Sequence, residues 1–317
     1  MELVVKKYGG TSVGSAERIK EVARQVAVAR EAGKQVVVVV SAMGDTTDEL
    51  ISLAHQITDQ PDDRELDHLL STGEMVSCTL LAMALRSLGY QAVSLNGAQA
   101  GIKTDAAHRR ARILAIEPQR ITNELERGRI VIVAGFQGIT EEMDITTLGR
   151  GGSDLTAVAL AVRLGARLCE IYTDVEGVYT ADPRIEPNAR KLGDISYEEM
   201  VELATHGARV MHPRAVEVGQ VYSLPILVAS SFKQAPGTLI QGEVKMEDRN
   251  KVRGIAHDTD VAKVTVLGVP DRPGIAAAIF EPLADAGINV DTIVQNASVE
   301  RITDLTFTVG RNDLSRA

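Results

Sequence analysis

The run QVVVVVSA at residues 35–42 limits the possible folds most strongly. Five consecutive valines leave no polar position for a solvent face, so a strand over this run is buried on both faces, as in parallel sheets. Similar apolar runs alternate with segments of helical periodicity: LVVKKY, YQAVSL, RIVIVAGF and RLCEIYTD are further predicted strands. This β-α-β-α order predicts an α/β fold with a mostly parallel sheet sandwiched by helices.

The composition argues against several classes of function. The formal net charge is −9 and the pI is near 5.3, whereas nucleic-acid binders normally present a basic face. The run of valines is too short to cross a membrane, and the N-terminus does not have the pattern of a signal peptide. Cys78 and Cys169 lie among apolar residues without metal-ligand spacing. We therefore expect a cytoplasmic protein with no nucleic-acid or membrane partner.

Several catalytic and metal-binding motifs are absent from the sequence. The histidines form no HxxxH pair and no pattern with cysteine, so we expect no protein-held transition metal. GxSxG, HRD and DFG do not occur, which argues against serine hydrolases and protein kinases. GxGxxG is also missing, which argues against a dinucleotide enzyme.

A change of composition after about residue 242 predicts a second domain. The segment GEVKMEDRNKVRG is charged and reads as a connector, and the remaining chain follows a strand-helix-strand-strand pattern. That pattern is the first part of a split βαββαβ, ferredoxin-like unit. We predict a large domain over 1–242, a linker over 243–260 and a partial βαββ domain over 261–317. Because the pattern stops short of its last helix and strand, we expect this domain to be truncated.

The loop KKYGGTSVG at residues 6–14 points to phosphate binding. Glycines after a strand let backbone N–H groups approach an anion, and a helix capped by Ser15 directs its positive end to the same place. Lys7 precedes the glycines, however, whereas a P-loop lysine follows them. An ordinary tight turn with an exposed lysine is equally compatible with this motif alone.

Three further motifs carry candidate binding residues. TLGRGGSD at 147–154 sets Arg150 between glycines, which favours recognition of a carboxylate or phosphate over a plain helix cap. STGE at 71–74 interrupts a helical pattern and offers Glu74 to an amino group, although a solvated glutamate is the commoner case. TDVEGVYTADPR at 173–184 could hold a nucleoside, but taken alone it reads as a well-capped loop.

Together, and in this order, the motifs KKYGGTSVG, VVSAMGDTTDEL, STGE, ITTLGRGGSD, EIYTDVEGVYTADPR and HGARVMHPRAV resemble the amino-acid kinase family and, within it, the aspartate kinases. The resemblance covers roughly residues 2–240. The segment VTVLGVPDRPGIAAAIF with INVDTIVQN resembles the ACT regulatory module of that family. The implied fold is the amino-acid kinase fold followed by a partial ACT unit.

The resemblance implies a role for each candidate residue. Lys7 stabilises charge on the transferring phosphoryl group, and Asp154 orients the cationic groups around it. Arg150 clamps a carboxylate of aspartate, and Glu74 pairs with the α-ammonium group. The implied aspartate-binding residues are Thr47, Glu74, Arg150, Gly151, Gly152 and Ser153. The implied ATP-binding residues are Lys7, Tyr8, Gly9, Gly10, Ser41, Thr173, Asp174, Tyr179, Arg184 and Arg209, the last at a position where many relatives carry lysine.

The implied reaction is the MgATP-dependent phosphorylation of the β-carboxylate of L-aspartate, the first step towards lysine, threonine and methionine. The ACT region implies feedback control by lysine or threonine, and assembly as a homo-oligomer or with a regulatory ACT-containing subunit. The implied effector-binding residues are Asp271, Gly274, Ala276, Asn289, Asp291 and Gln295. Alternatives are another carboxylate kinase of this fold, acting on acetylglutamate or glutamate, a nucleotide kinase of this fold, and a catalytically silent amino-acid sensor.

Overall fold

The computed structural model describes residues 1–208, 210–242, 252–295 and 302–317, and these form two compact units, Met1–Ala256 and His257–Ala317. Arg209 lies outside the described residues, and so do residues 243–251 of the predicted linker. The three domain ranges read from the sequence stay a prediction. Each unit is described by itself.

The first unit alternates strands and helices. Its strands are β1 (Leu3–Tyr8), β2 (Gln35–Val40), β3 (Ala92–Leu95), β4 (Ile102–Thr104), β5 (Ile113–Ile116), β6 (Ile130–Ala134), β7 (Gln137–Ile139), β8 (Ile145–Thr147), β9 (Cys169–Thr173), β10 (Asp194–Ser196), β11 (Ile226–Ser230) and β12 (Thr238–Gln241). Its helices are α1 (Ala16–Glu31), α2 (Thr46–Ile57), α3 (Asp63–Ser87), α4 (Gln119–Glu126), α5 (Gly152–Leu164), α6 (Tyr197–Thr205) and α7 (Pro213–Val221).

An eight-stranded sheet forms the centre of this unit, in the order β10-β12-β11-β9-β1-β2-β6-β3. Neighbouring strands are parallel except β11 and β12. The valines of β2 alternate between two cores: Val36 and Val38 face α1 and α3, whereas Val37 and Val39 face the layer that contains α5. The fold class predicted from the sequence is therefore confirmed.

A second, smaller sheet lies beside the carboxyl ends of the central strands, in the order β5-β4-β7-β8. β7 follows β6 after a two-residue connection and pairs with β8 in antiparallel fashion. Since β8 ends at Thr147, this sheet delivers the glycine-rich segment 148–152 to the start of α5.

The helix α3 runs without interruption through Ser71–Glu74, although Gly73 and Glu74 interrupt the helical pattern of its sequence. A Cβ atom on Gly73 would lie 2.9 Å from Ala42 Cβ, so this glycine lets α3 approach the segment after β2. By length and composition α3 could cross a membrane, but half of its apolar window is buried inside the unit. Leu81 and Leu85 are fully buried in the core shared with α1, as in a core helix.

The second unit contains β13 (Val261–Pro270), α8 (Ile275–Asp285), β14 (Val290–Gln295) and β15 (Ile302–Gly310), with the sheet order β13-β15-β14. Both strand pairs are antiparallel, and Leu305, Phe307 and Val309 of β15 form its core with Leu283 of α8. Two groups of predicted effector residues lie at the ends of elements. Asp271 and Gly274 lie between β13 and α8, and Ala276 belongs to the first turn of α8. Asn289 precedes β14, and Asp291 and Gln295 belong to it.

We predict that Gly135→Ala destabilises the first unit by about 1–3 kcal/mol, the usual effect of overpacking a filled site. A Cβ atom there would lie 2.7 Å from Ser153 Oγ and 2.9 Å from Val39 Cγ1, where β6 meets α5. Urea unfolding measures the change. Gly193→Ala is the matched control, because a Cβ atom at that position meets nothing within 4 Å. Equal stability of the two variants would contradict the prediction.

Candidate active site

Four adjacent strands, β9, β1, β2 and β6, end at the same edge of the central sheet, and their following loops carry most of the predicted motifs. After β1 the chain turns into a short 3₁₀ helix, Gly10–Val13. A Cβ atom on Gly10 would lie 2.8 Å from the carbonyl oxygen of Ala42, and the Gly44 N–H donates to Gly10 O at 3.1 Å. Glycine at position 10 is therefore required for the loops after β1 and β2 to touch.

Lys7 and Asp154 form a buried ion pair at this edge. Lys7 Nζ lies 2.7 Å from Asp154 Oδ1, and both side chains are about one-tenth exposed. Asp154 belongs to the first turn of α5, where a carboxylate is favoured by the helix dipole. Its second oxygen accepts a hydrogen bond from the backbone N–H of His212 at 3.3 Å. The two residues that the motifs predicted as catalytic are brought into contact.

His212 covers the start of α5 as an uncharged ring. Its Nδ1 atom accepts a hydrogen bond from the Arg214 N–H at 3.1 Å, which caps α7. Burial lowers the pKa of His212, and the nearby Arg214 lowers it further, against the opposing effect of Asp154. The ring lies so close to Gly151 that a Cβ atom there would approach it to 2.8 Å.

The glycines around Arg150 have conformations that other residues rarely adopt. Gly149 and Gly151 have φ angles of +86° and +79°. Gly151 is the N-cap of α5, and Ser153 lies buried in its first turn, so Ser153 is not the cap. A Cβ atom on Gly152 would lie 2.7 Å from Leu148 Cβ. This segment brings backbone close to the strand ends and leaves room beside the ion pair.

Arg150 extends outward from this segment. Its side chain is 84% exposed, and Nη2 lies 2.9 Å from Asp48 Oδ1 on α2. Thr47, also predicted to bind substrate, precedes Asp48 and is half-buried. Arg150 and Thr47 are thus linked through Asp48, and among the described residues the only partner of Arg150 is this exposed carboxylate, which a ligand can displace.

Glu74 is a buried carboxylate with an incomplete set of partners. Its side chain lies on the buried face of α3, and Oε1 accepts a hydrogen bond from the Ala42 N–H at 3.2 Å. Oε2 has no hydrogen-bond partner among the described residues. Burial raises the pKa of Glu74 to about 8. Since an unpaired buried carboxylate oxygen is costly, this atom is suited to receiving a cationic group.

The predicted nucleotide-side residues follow β9. Thr173 accepts a hydrogen bond from the Ser231 N–H through its carbonyl oxygen, which ties the ends of β9 and β11 together. Asp174 is exposed next to it, and Tyr179 forms an isolated bridge with Lys191. Arg184 is 86% exposed and pairs with Asp182 at 2.7 Å.

Tyr8 and Ser41 differ in what they present to this edge. The Tyr8 ring is fully buried and stacks on Tyr172 at a centroid distance of 5.0 Å. Only its backbone reaches the strand end, where the carbonyl oxygen accepts a hydrogen bond from the Ser41 N–H. Ser41 begins the loop after β2 and is half-buried. Any contact of Tyr8 with a ligand is thus made by its backbone.

Comparison with known proteins assigns the family. The amino acid kinase family profile matches residues 2–230, and the ACT domain profile matches residues 263–317. The aspartokinase of Mycolicibacterium smegmatis is 52% identical over 100% of this chain, and that of Geobacillus stearothermophilus is 55% identical over 99%. This chain belongs to the aspartokinases of the amino acid kinase family. It spans 76% and 77% of the lengths of those two relatives.

Solved structures of aspartokinases have the same fold. E. coli aspartokinase III in complex with aspartate and ADP (R-state) superimposes with a TM-score of 0.85 at 28% identity, over 98% of this chain and 79% of that one. The same enzyme with lysine and aspartate (T-state) gives 0.73 at 27% identity, with the same coverage. Aspartate kinase from Synechocystis gives 0.68 at 45% identity, over 99% of this chain and 54% of that one. The amino-acid kinase fold and the ACT region inferred from the motifs are confirmed.

Sequence reasoning missed two groups around the site of this aspartokinase family member. Lys6 pairs with Glu170 on the face of β1 opposite to Lys7, and the Tyr172 hydroxyl bonds to the same carboxylate. The KK dipeptide in a strand was the available signal, since neighbouring side chains point to opposite faces. Asp67 is a fully buried carboxylate on α3, seven residues before Glu74 and therefore on the same helix face.

The segment 252–256 also contacts the nucleotide-side loop in this aspartokinase fold. The Ile255 N–H donates to Thr180 O at 2.8 Å, one residue after Tyr179. Arg253, only 15% exposed, anchors this segment through Glu199 at 3.3 Å and Asp194 O at 2.8 Å. No local motif in the sequence signals these long-range contacts.

We predict that the stability of the first unit falls as pH rises from about 5 to about 8, because of Glu74. Its pKa is raised from 4.5 to about 8 by burial, so in this window the native state holds a proton that the unfolded state has lost. Stability therefore decreases with pH, by roughly 1 kcal/mol per pH unit for one proton. Urea unfolding at several pH values measures this slope. Glu74→Gln, which cannot titrate, is expected to reduce it, and identical slopes would contradict the prediction.

Proposed function

We propose that this chain catalyses the transfer of the γ-phosphoryl group of MgATP to the β-carboxylate of L-aspartate, giving ADP and 4-phospho-L-aspartate. The observation that carries the proposal is the arrangement of Glu74 and the Lys7–Asp154 pair at one sheet edge. Glu74 offers a buried carboxylate oxygen that can bind a cationic group, and Lys7 offers a cation suited to a phosphoryl group. The family supports it, since the relatives are named aspartokinases and E. coli aspartokinase III binds aspartate and ADP.

The phosphates of ATP are held at the strand ends after β1 and β2. Gly9, Gly10 and Ser41 supply backbone and hydroxyl groups, with the Tyr8 backbone beside them, and Lys7 reaches the γ-phosphoryl oxygens. A Cβ atom on Gly9 would lie 3.5 Å from Lys7 Nζ, an ordinary van der Waals contact, so Gly9 lies directly beside the ammonium group. Asp154 keeps the Lys7 ammonium group aimed at the edge.

The transfer step needs alignment and charge neutralisation. The β-carboxylate is ionised at neutral pH, so one of its oxygens attacks the γ-phosphorus directly, without a general base. The bond from that phosphorus to the β–γ bridging oxygen breaks, and ADP leaves with the electron pair. Two anions must be brought together, and Lys7 with the N-terminus of α5 offsets their repulsion.

The amino-acid substrate lies between α2, α3 and the start of α5. Arg150 exchanges Asp48 for a substrate carboxylate, which its planar guanidinium binds in bidentate fashion. Gly151, Gly152, Ser153 and Thr47 complete the carboxylate pocket. The α-ammonium group of aspartate bonds to Glu74 Oε2, and this positive charge favours the ionised form of the glutamate.

The nucleoside part of ATP occupies the loops after β9 and β11. Thr173, Asp174, Tyr179, Arg184 and Arg209 are the proposed contacts, carried over from the family motifs. Thr173 ends β9 and Asp174 follows it; because β9 pairs with β1, this strand end neighbours the proposed phosphate loop, which supports the assignment. Arg184 needs to release Asp182 to reach a nucleotide. Because the Arg184 side chain is highly exposed, breaking this ion pair costs little free energy.

Mg²⁺ enters as part of the substrate MgATP. Among the described residues, no three His, Cys, Asp or Glu side chains converge on a common point. Mg²⁺ in kinases is bound by substrate phosphates with one or two carboxylates, and a hard oxygen donor is available in Asp154. These residues therefore fit an ion held mainly by ATP, whose charge assists the transfer of the phosphoryl group.

We further propose feedback regulation through the second unit and a cytoplasmic location. E. coli aspartokinase III is described with lysine, and the ACT domain spans 263–317 here. Asp271, Gly274, Ala276, Asn289, Asp291 and Gln295 are the proposed effector contacts, for lysine or threonine. A homo-oligomer or a complex with an ACT-containing regulatory subunit, and the ranges 1–242, 243–260 and 261–317 as domains and linker, belong to the same proposal.

We predict MgATP-dependent ADP release with L-aspartate, and none with N-acetyl-L-glutamate, L-glutamate or UMP. A coupled assay for ADP measures all four acceptors. An N-acetylated substrate has no ammonium group for Glu74, so its turnover would overturn the proposed role of that residue and favour another carboxylate kinase. Lack of turnover with every acceptor, with retained binding of lysine or threonine, would favour an amino-acid sensor.

We predict that Lys7→Ala lowers kcat by about 10²–10³-fold, as expected for the loss of one preorganised donor to the transferring group. Lys6→Ala is the matched control: Lys6 is equally buried and paired with a carboxylate, but on the other face of β1. Both variants lose stability, and only Lys7→Ala loses turnover. Near wild-type kcat in folded Lys7→Ala, or an equal loss in both variants, would reject the role of Lys7.

A further inference from the structure

Asp67 is a fully buried carboxylate that no part of the proposed reaction uses. It lies on α3 and accepts five hydrogen bonds. The Arg109 N–H donates to both oxygens, at 3.1 and 2.9 Å, and His108 Nδ1 lies 3.0 Å from Oδ2. The Thr147 N–H donates to Oδ2 at 2.9 Å and the Thr147 hydroxyl to Oδ1 at 2.6 Å.

These bonds join three segments that are distant in sequence. Thr147 ends β8 and precedes Arg150 by three residues, whereas Glu74 follows Asp67 by two turns of α3. His108 and Arg109 belong to the connection between β4 and β5, and Arg109 has a left-handed backbone with a φ of +67°. Asp67 therefore links the helix that carries the proposed ammonium ligand to the loop that carries the proposed carboxylate ligand.

The loop that carries Arg150 is also fixed by hydrogen bonds that do not involve Asp67. Arg214 donates to Leu148 O at 3.0 Å and to Ala111 O at 2.9 Å, and the Ala111 N–H donates to Thr147 O at 2.9 Å. Among the residues that the structure describes, Arg150 itself is held only by exposed Asp48. The position of Arg150 relative to α3 thus depends on the backbone before it, and Asp67 supplies the bonds on the α3 side.

We propose that Asp67 is a positioning residue that sets the separation of Arg150 and Glu74. This separation determines the length of the amino-acid substrate that both residues can bind at the same time. A carboxylate suits this task, because its oxygens accept from four directions and donate to none. The inference rests on the proposed function. It adds a specificity determinant that does not touch the substrate.

Steady-state kinetics of Asp67→Asn test the inference. The amide keeps the shape of the side chain but replaces one acceptor oxygen with a donor that opposes the N–H groups around it. The expected result is a KM for aspartate raised about 10–100-fold, the effect of a small misplacement, with the KM for MgATP unchanged. Discrimination against L-glutamate, measured as the ratio of kcat/KM values, is expected to fall.

A second pair of variants covers the case in which Asp67→Asn does not fold. Thr147→Val removes only the hydroxyl donor and is expected to raise the KM for aspartate about 3–10-fold, whereas Thr147→Ser keeps the hydroxyl and restores most of the affinity. Glu124→Gln is the matched control, because Glu124 is also a fully buried carboxylate, but it binds arginines on and after α4. It is expected to lose stability without changing the KM for aspartate.

The outcomes separate the inference from the proposed function. If the wild type does not turn over aspartate, the proposed function fails, and the role of Asp67 with it. If the wild type is active and neither Asp67→Asn nor Thr147→Val changes the KM for aspartate, only the inference is overturned. A parallel rise of both KM values, matched by Glu124→Gln, would also overturn it, since it would show general loosening of the fold.

Discussion

The buried ion pair of Lys7 and Asp154 joins the central strand of the sheet to the start of α5, and the arrangement of the site depends on it. Each charge needs the other, because a buried ion that loses its partner costs about 3–5 kcal/mol. The pair also fixes where the positive end of α5 points. In the proposed reaction, the charge of Lys7 that stabilises the fold is therefore also the charge that meets the phosphoryl group.

Around this rigid pair, the site divides into buried and exposed parts. Glu74 is held inside the protein by α3, and its Oε2 atom has no hydrogen-bond partner within the part of the chain that the structure describes. Arg150 and Arg184 lie outside: Arg150 pairs with the exposed Asp48 and Arg184 with the partly buried Asp182. In the proposed function, the buried groups select the substrate and the exposed arginines enclose it, as suits an enzyme that must exclude water from a phosphoryl group.

The sequence predicted the strands and loops of the site better than it predicted the contacts that surround them. Parallel strands and the phosphate-binding loop after β1 followed from apolar runs and glycine motifs, which are local signals. The link between Lys7 and Asp154 was implied only by the resemblance to the family. The reason for a glycine inside α3 did not follow from the sequence, because Gly73 serves a close approach to Ala42 that only tertiary packing reveals. The bonds of Asp67 could not be foreseen either, since they join segments up to 80 residues apart.

The two consecutive lysines of β1 also affect how the sheet is assembled. Lys6 meets Glu170 on one face and Lys7 meets Asp154 on the other. A strand that slipped by one residue would turn each ammonium group towards the wrong face and bury two cations without partners. The neighbouring β2 is apolar on both faces and carries no charged residue that would oppose such a slip. The alternating lysines thus give the centre of the sheet a single allowed register and protect folding against misaligned intermediates.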